Sequence, residues 1–338
     1  MRGVTAQAAA PRYVVRRLID APIITPGMDA RMGANVEGPS LIRAPDWLPG
    51  RLGRYYLYFA DHKGDYIRLA YADRLQGPWT VHAPGALQLG QSGLPTVAPV
   101  GSPEAVAALG ASAAADRASP GTPGIPALID DATLPHLASP DAHVDPVNRR
   151  IILYYHGLGG FSDQFSKVAT SPNGIDFTPV GGRIGPPYMR TFAHRGWVYA
   201  QGMPGQFLRS RDGFTGWETG PRLFPSNQWH SAFLTQGDTL HVFWTRVGDA
   251  PEAILASTID ISGDWTGWKA SDPVVVLKPE RPWEGADLPV ERSYRSAVFR
   301  PVNQLRDPAI YQEASRIYLL YAVRGEGGIA IAELTVNT

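Results

Sequence analysis

Apolar residues along this chain come in short runs, YYLYFA from Tyr55, IILYY from Ile151, WVYA from Trp197, LHVFW from Leu240 and IYLLY from Ile317. These are strand-length runs rich in Tyr, Ile, Val, Phe and Trp, the residue types that fit a pleated, packed surface. Each follows a shorter segment with a polar head: EGPSLI at Glu37, PDAHV at Pro140, YMRTFA at Tyr188, HSAFL at His230 and RDPAIY at Arg306. The runs are followed by another apolar strand and, in four of the five, a turn containing Gly with Ser, Asp or Trp, such as ADRLQGPW, SPNGIDF, SRDGFTGW and ISGDWTGW. A unit of several strands repeating every ~40–50 residues is the pattern of a β-propeller. Five units predict five blades, at about residues 35–87, 136–180, 186–222, 228–272 and 304–336.

The fifth unit shows only three strands, while YVVRRLI around Tyr13–Ile19 precedes the first unit without a partner. Pairing the two removes both exposed edges, so the N-terminal strand is expected to complete the last blade of a single all-β, five-bladed propeller domain. Helical periodicity is scarce, and Gly and Pro punctuate nearly every interval. Residues 88–134 interrupt the repeat with an Ala-, Gly-, Ser- and Pro-rich stretch, GSPEAVAALGASAAADRASPGTPG. It reads as a long inserted loop, with one or two helical turns over Glu104–Leu109 after Ser102 as N-cap and Pro103 at the first position. Such a loop either hangs free or covers a substrate.

Composition excludes partners more than it names them. The 338 residues carry 31 basic and 31 acidic side chains, scattered along the chain, so there is no electrostatic footprint for nucleic acid or an anionic membrane. No cysteine is present, which removes thiolate nucleophiles and cysteine-held zinc. No apolar run approaches the ~20 residues that span a bilayer. The N-terminus MRGVTAQAAAPRYVV lacks the apolar core of a secretory signal, so a cytoplasmic location is expected, unless an export signal lies outside this sequence. There is no GxxxxGK[ST], HExxH or GxSxG motif.

The polar heads carry the candidate chemistry. Asp307, Asp141 and His230 each stand ten residues before the start of the following strand, at Ile317, Ile151 and Leu240. Matching GPSLI to DPAIY adds Glu37, and Tyr188 or Arg190 falls nearest in the third unit. Inner strands of a propeller surround a central channel, so Glu37, Asp141, Arg190, His230 and Asp307 are expected to ring one pocket. An Asp before Pro is alternatively a turn residue, and His230 a hydrogen-bonded channel histidine. Asp141 and His143 share a strand face and could be a metal pair, an acid–base pair or a polar lining.

With those residues in view, the first unit resembles the acid-bearing blade of family 43 glycoside hydrolases: EGPSLI, then YYLYFADH, then ADRLQGPW. The Arg-Asp-Pro at Arg306–Pro308 is similar to the motif of the related family 32 enzymes. The resemblance spans about Val36 to Leu334 and implies a five-bladed propeller cleaving glycosidic bonds with carboxylates in a central pocket. It implies Glu37 as general acid and Asp307 as the carboxylate that orients it and raises its pKa. The motif order departs from those families, because the blade that should bring the third carboxylate brings His230. Asp141 is the expected substitute, with Asp61 and Asp65 in reserve.

The chemistry to expect is therefore hydrolysis of an oligo- or polysaccharide, with Glu37 protonating the glycosidic oxygen and a carboxylate or histidine activating water. Arg190, His62, Tyr188, Asp61, His143 and Trp229 are the expected substrate contacts, and Trp47, Trp229 and Trp283 are either sugar platforms or packing. No cofactor is expected beyond a possible structural divalent cation in the channel. The alternative is a diverged propeller without hydrolase activity, binding a ligand or running metal-assisted or acid–base lyase or isomerase chemistry with a histidine and Asp141 pocket drawn from His62, His143, His156 and His230. A binding propeller with like pockets in each blade fits poorly, since the five heads differ. SPNGIDF and SRDGFTGW resemble sialidase-type Asp-box turns with a displaced Gly, and are expected to close blades only.

Overall fold

A strand buried on both faces needs apolar residues at every position rather than at alternate ones, and the second strand of each repeat meets that demand. A computed structural model describes residues 11–116 and 125–337, so MRGVTAQAAA and residues 117–124 of the insertion lie outside the described residues. The first strand, β1 (Arg12–Arg17), is followed by blade one with β2 (Glu37–Arg43), β3 (Tyr55–Ala60), β4 (Tyr66–Ala72) and β5 (Thr80–Gln88). Blade two holds β6 (Leu137–Asp145), β7 (Arg150–Gly160), β8 (Asp163–Ser171) and β9 (Thr178–Gly185). Blade three holds β10 (Arg190–His194), β11 (Trp197–Gly202), β12 (Gln206–Ser210) and β13 (Glu218–Arg222). Blade four holds β14 (Gln228–Gln236), β15 (Thr239–Arg246), β16 (Ile254–Asp260) and β17 (Val274–Leu277). Blade five holds β18 (Arg306–Glu313), β19 (Arg316–Ala322) and β20 (Ile329–Asn337), and takes β1 as its outermost strand.

The core is distributed between blades. Tyr58, Leu69, Leu153 and Tyr155 join blades one and two, and Leu57, Phe59, Leu320 and Ile331 join blades one and five. Comparable clusters fill the other three junctions. Two junctions are also latched by a tyrosine hydroxyl. Tyr58 donates to Gly174 O (2.6 Å) in the SPNGIDF turn, and Tyr154 donates to Gly213 O (3.1 Å) in the SRDGFTGW turn. Both turns are held by an Asx side chain, Asn173 or Asp212, accepting backbone N–H groups; they join third to fourth strands.

The head of the inner strand is bulged in four blades, with register shifts between Glu37 and Ser40, Ala138 and Asp141, Gln228 and Ser231, and Arg306 and Ala309. At this point φ is positive at Gly38 (63°), Ser139 (49°) and Asp307 (48°), as it is at Tyr188 (60°) ahead of β10. Only glycine fits at position 38, where a Cβ would stand 2.8 Å from Ser139 Cα. Equal spacing from the second strand therefore misleads. The β6–β7 hairpin closes through four residues between Asp145 and Arg150, whereas β18–β19 closes through two between Glu313 and Arg316. Asp141 and Arg190 consequently sit two residues past the bulge position that Asp307 and Tyr188 occupy.

The insertion also departs from expectation. It is more than a loop with one or two helical turns: α1 (Pro103–Asp116) and α2 (Ile125–Thr133) are helices. Ser102 caps α1 through Ala105 N (3.2 Å) as anticipated, and the alanine run, the strongest helix former, carries the helix past Gly110. α2 is tied to the rim where the inner strands begin, by Lys63 Nζ to Asp131 (2.7 Å) and Ser162 N to Ala132 O (3.0 Å).

Six residue pairs from Arg12–Asn337 to Arg17–Ala332 close the ring. Deleting residues 1–20 is expected to lower the melting temperature of the whole domain, because it opens β20 as an edge; an unchanged transition in differential scanning calorimetry would refute this.

Candidate active site

The inner-strand heads and the loops around them build a buried polar cluster at one end of the channel. Glu37 enters at the start of β2, and its two carboxylate oxygens accept from Ser139 N (3.1 Å) and Oγ (3.0 Å). Asp307 comes from the bulge of β18, with Oδ1 3.0 Å from His230 Nε2. Tyr188 lies between the histidines: its hydroxyl meets His62 Nε2 at 2.7 Å, and its ring stands 4.0 Å from His156 and 5.4 Å from His230. Trp229 stacks on His230 at 4.2 Å, and the Arg306 guanidinium lies over the Trp229 ring at 4.8 Å. Thus Glu37, Asp307, His230, His62, Tyr188 and Trp229 do converge.

Asp141, His143 and Arg190 form a second group, further along the channel. Arg190 donates to Pro140 O (2.6 Å) and Pro39 O (3.3 Å), with Asp141 Oδ1 3.5 Å away. Asp141 Oδ2 accepts from Thr191 N (2.9 Å) and Oγ1 (3.0 Å) and meets His143 Nε2 at 2.8 Å. Its Oδ2 is fully engaged and its Oδ1 faces the Arg190 guanidinium, which argues against its use as the base. Asp61 stands aside, accepting from Lys63 N (2.8 Å) and near Arg68 (3.4 Å), and Asp65 is exposed. Trp47 packs between blades one and two, and Trp283 packs beside blades four and five with its indole N–H on Asp20 (2.9 Å). The histidine set is split as well, since His143 belongs to the second group, and among the described residues no three acidic or histidine side chains form a metal cage.

Sequence reasoning missed four members. Glu326, from the loop between β19 and β20, is wholly buried, and so are Glu252, Arg306 and Asn35. Arg306 bridges Glu326 Oε1 (2.8 Å) and Glu252 Oε2 (3.2 Å). Glu326 also lies 3.4 Å from His62 Nδ1 and accepts from Asn35 Nδ2, while Asn35 Oδ1 accepts from His62 N (2.9 Å). A Glu among three glycines in RGEGG was the available signal for Glu326.

Burial raises the Asp307 carboxyl well above the carboxylate range, and the charges of Glu37 and Glu326 push it further. Glu37 is raised too, by burial and by Glu326, against the pull of His62 and the Ser139 hydrogen bonds. The stronger upward push is therefore on Asp307, and the charge that raises Glu37 comes from Glu326. Burial works against ionisation of Glu326 as well, but His62, Arg306 and Asn35 outweigh it and hold its pKa down at about 2. Burial drives His230 and His156 well below the ordinary imidazole value, so both are neutral. Burial raises Glu252 as well, so the level contains three carboxyls inclined to keep protons, one fixed carboxylate and the neutral imidazoles of His156 and His230.

Many buried polar atoms here lack a protein hydrogen-bond partner: both ring nitrogens of His156, Trp229 Nε1, Gln201 Nε2, Gln228 Oε1 and Asp307 Oδ2. Such atoms are rare in folded proteins, and their gathering at one place marks a site for water or a polar ligand. Non-glycine residues with positive φ at Ser139, Tyr188 and Asp307 mark the same place, since strain of this kind clusters at functional sites.

The fold is that of the five-bladed glycoside hydrolase propellers. Solved structures that share it include a family GH130 protein described for glycoside hydrolases that target β-1,2 mannosidic linkages in Candida mannan (13% identity, 98% of this chain and 95% of that one, TM-score 0.57). They also include a thermostable family-43 glycoside hydrolase (10% identity, 89% of both chains, TM-score 0.53). A third is CoXyl43, a GH43 β-xylosidase/α-arabinofuranosidase from a compost microbial metagenome (13% identity, 96% of both chains, TM-score 0.52). No family model matches the chain. The chain belongs to the same family as the uncharacterized protein R118 of Acanthamoeba polyphaga mimivirus, to which it is 35% identical over 327 residues, 89% of this chain and 83% of the viral one.

A carboxyl whose folded pKa is raised adds stability below its unfolded pKa and loses it as pH climbs toward the folded value. Asp307→Asn should therefore melt higher than wild type at pH 7, and the difference should shrink toward about pH 4, near the unfolded carboxyl pKa. A variant less stable than wild type at neutral pH would contradict the electrostatic account.

Proposed function

We propose that the chain is a glycoside hydrolase acting at the Glu37–Asp307 cluster. The observation that carries this reading is a pair of carboxyls inclined to stay protonated by burial and by the Glu326 charge, beside a neutral histidine and among unpartnered polar atoms, in a propeller of the glycosidase type. Glycosidic cleavage needs a carboxylic acid that still holds its proton near neutral pH, and two neighbouring carboxyls supply one. Glu37, kept protonated by burial and the Glu326 charge, gives its proton to the leaving glycosidic oxygen. His230, with Nε2 beside Asp307, takes a proton from the attacking water. Glu326, held ionised by Arg306 and His62, balances positive charge developing on the sugar ring. The unpartnered groups of Gln201, Gln228, Trp229 and His156 are suited to sugar hydroxyls, which both donate and accept.

A second reading is favoured by the closure of the site. Glu37, Glu326 and Glu252 are 0% exposed, and Ser139 engages both Glu37 oxygens. A propeller that binds its ligand without cleaving it would tolerate this arrangement, whereas a hydrolase must open.

Activity on a panel of aryl glycosides and furanose oligosaccharides, with and without a chelator, separates the two readings. Wild type should cleave at least one substrate with chelator present, and Glu37→Gln should lose about 10²–10⁴-fold in kcat, the usual contribution of a general acid or base. Cleavage indifferent to Glu37, or none across the panel, would overturn the hydrolase reading.

A further inference from the structure

The far end of the channel holds a separate chamber. A cavity of about 470 Å³ runs along the inner strands from Asp141 and Arg190 to Ala314 in the β18–β19 turn, so it opens at the hairpin end, opposite Glu37 and Asp307. Small residues Ala142, Ala232 and Ala309 leave the room, and Leu41, Phe233 and Ile310 give it apolar walls. The volume is within the ~300–1,000 Å³ usual for small-molecule sites.

Its charged groups are not balanced evenly. The two carboxylates on its lining are both occupied: Asp141 by His143 and Thr191, and Glu313 by Arg43 (3.3 Å), Arg54 (3.4 Å) and the Tyr55 hydroxyl (2.8 Å). Arg43 shares the Glu313 pair, but the other two lining cations keep unbonded nitrogens. Arg190 uses Nη1 and Nη2 on the Pro140 and Pro39 carbonyls, while its Nε carries no hydrogen bond among the described residues and is not fully buried, on a side chain that lines the chamber. His143 spends Nε2 on Asp141 and Thr191 Oγ1 (2.8 Å), and its Nδ1 is likewise unbonded and accessible, on a side chain 39% exposed. Burial resists charge on His143, but the Asp141 carboxylate outweighs it and raises the imidazole pKa. With His143 protonated the lining carries three cations, Arg43, Arg190 and His143, against two anions, Asp141 and Glu313. Thr191, His143 and Asp141 do not form a nucleophilic triad, because the hydroxyl and the carboxylate meet the same ring nitrogen.

We propose that this hairpin-side chamber binds a monocarboxylate of about monosaccharide size, with its carboxylate between Arg190 Nε and His143 Nδ1 and its body along Phe233 and Ile310. The floor offers two charge-assisted donors, and the Asp141 Oδ1 beside them is faced by Arg190 Nη1 at 3.5 Å. The site stands apart from the proposed hydrolase site and does not depend on it.

Isothermal titration calorimetry with D-glucuronate, its neutral counterpart D-glucose and inorganic phosphate tests the assignment. Glucuronate should bind, glucose should bind about tenfold or more weakly, and affinity should fall as pH rises and His143 loses its proton. His143→Gln, which keeps a donor for Asp141 but removes the charge, should weaken glucuronate about tenfold, with folding checked by its melting curve. Arg43→Gln at the exposed mouth should weaken it less, and Glu37→Gln should leave it unchanged, which separates this site from the other end of the channel. Equal binding of glucose, preference for phosphate, no binding of glucuronate, or glucuronate affinity lost in Glu37→Gln but kept in His143→Gln would each overturn the proposal.

Discussion

Four carboxyl groups, Glu37, Glu252, Asp307 and Glu326, are withdrawn from water at one end of a propeller channel, and the surrounding structure is arranged around that constraint. An isolated carboxylate in such a place costs several kcal/mol or more, so each group must be paired or must keep its proton. Arg306 and His62 pair Glu326, and no comparable cation pair is placed on Asp307, which is pushed toward its neutral form. The fold supplies the geometry that forces this choice. Five sheets pack face to face through five apolar clusters, and their inner strands have no direction in which to point their heads except toward one another.

That same packing separates two chambers with different chemistry. Arg190, clamped on the carbonyls of Pro39 and Pro140, stands between them. On one side the polar groups are buried, partly unpartnered and poised to hold protons. On the other, Asp141 is fixed as an anion, its pKa taken down to about 2 because His143, Arg190 and Thr191 outweigh the effect of burial. A single turn-length difference in the hairpins, four residues in one blade and two in another, decides which side a strand-leading carboxylate serves.

The sequence was legible where a physical pattern repeats. Apolar runs such as YYLYFA and IYLLYA mark strands that must be buried on both faces, and the unpartnered Tyr13–Ile19 segment pointed to closure with the last strand, as β1 and β20 show. Glu37, Asp307, His230 and Tyr188 follow from the logic of converging heads, and His62 and Trp229 from their places beside those heads. Counting residues could not see the bulges at Gly38, Ser139 and Asp307, so Asp141 and Arg190 were placed one level too high. Glu252 and Glu326 come from connections, whose path follows no periodicity, and their role appears only when Arg306 is seen to bridge them. The insertion misled because alanine serves loops and helices alike in composition, while its helix propensity acts only once a cap such as Ser102 is in place.

The account turns on whether a carboxyl at this site keeps its proton at neutral pH. Infrared difference spectroscopy of wild type against Asp307→Asn, at pH 7 in protein labelled with ¹³C at its aspartate carboxyls, observes that proton directly. The account predicts a protonated-carboxyl band at pH 7 that is absent from the variant. A spectrum in which every aspartate is ionised at pH 7, with no band lost on substitution, would contradict it.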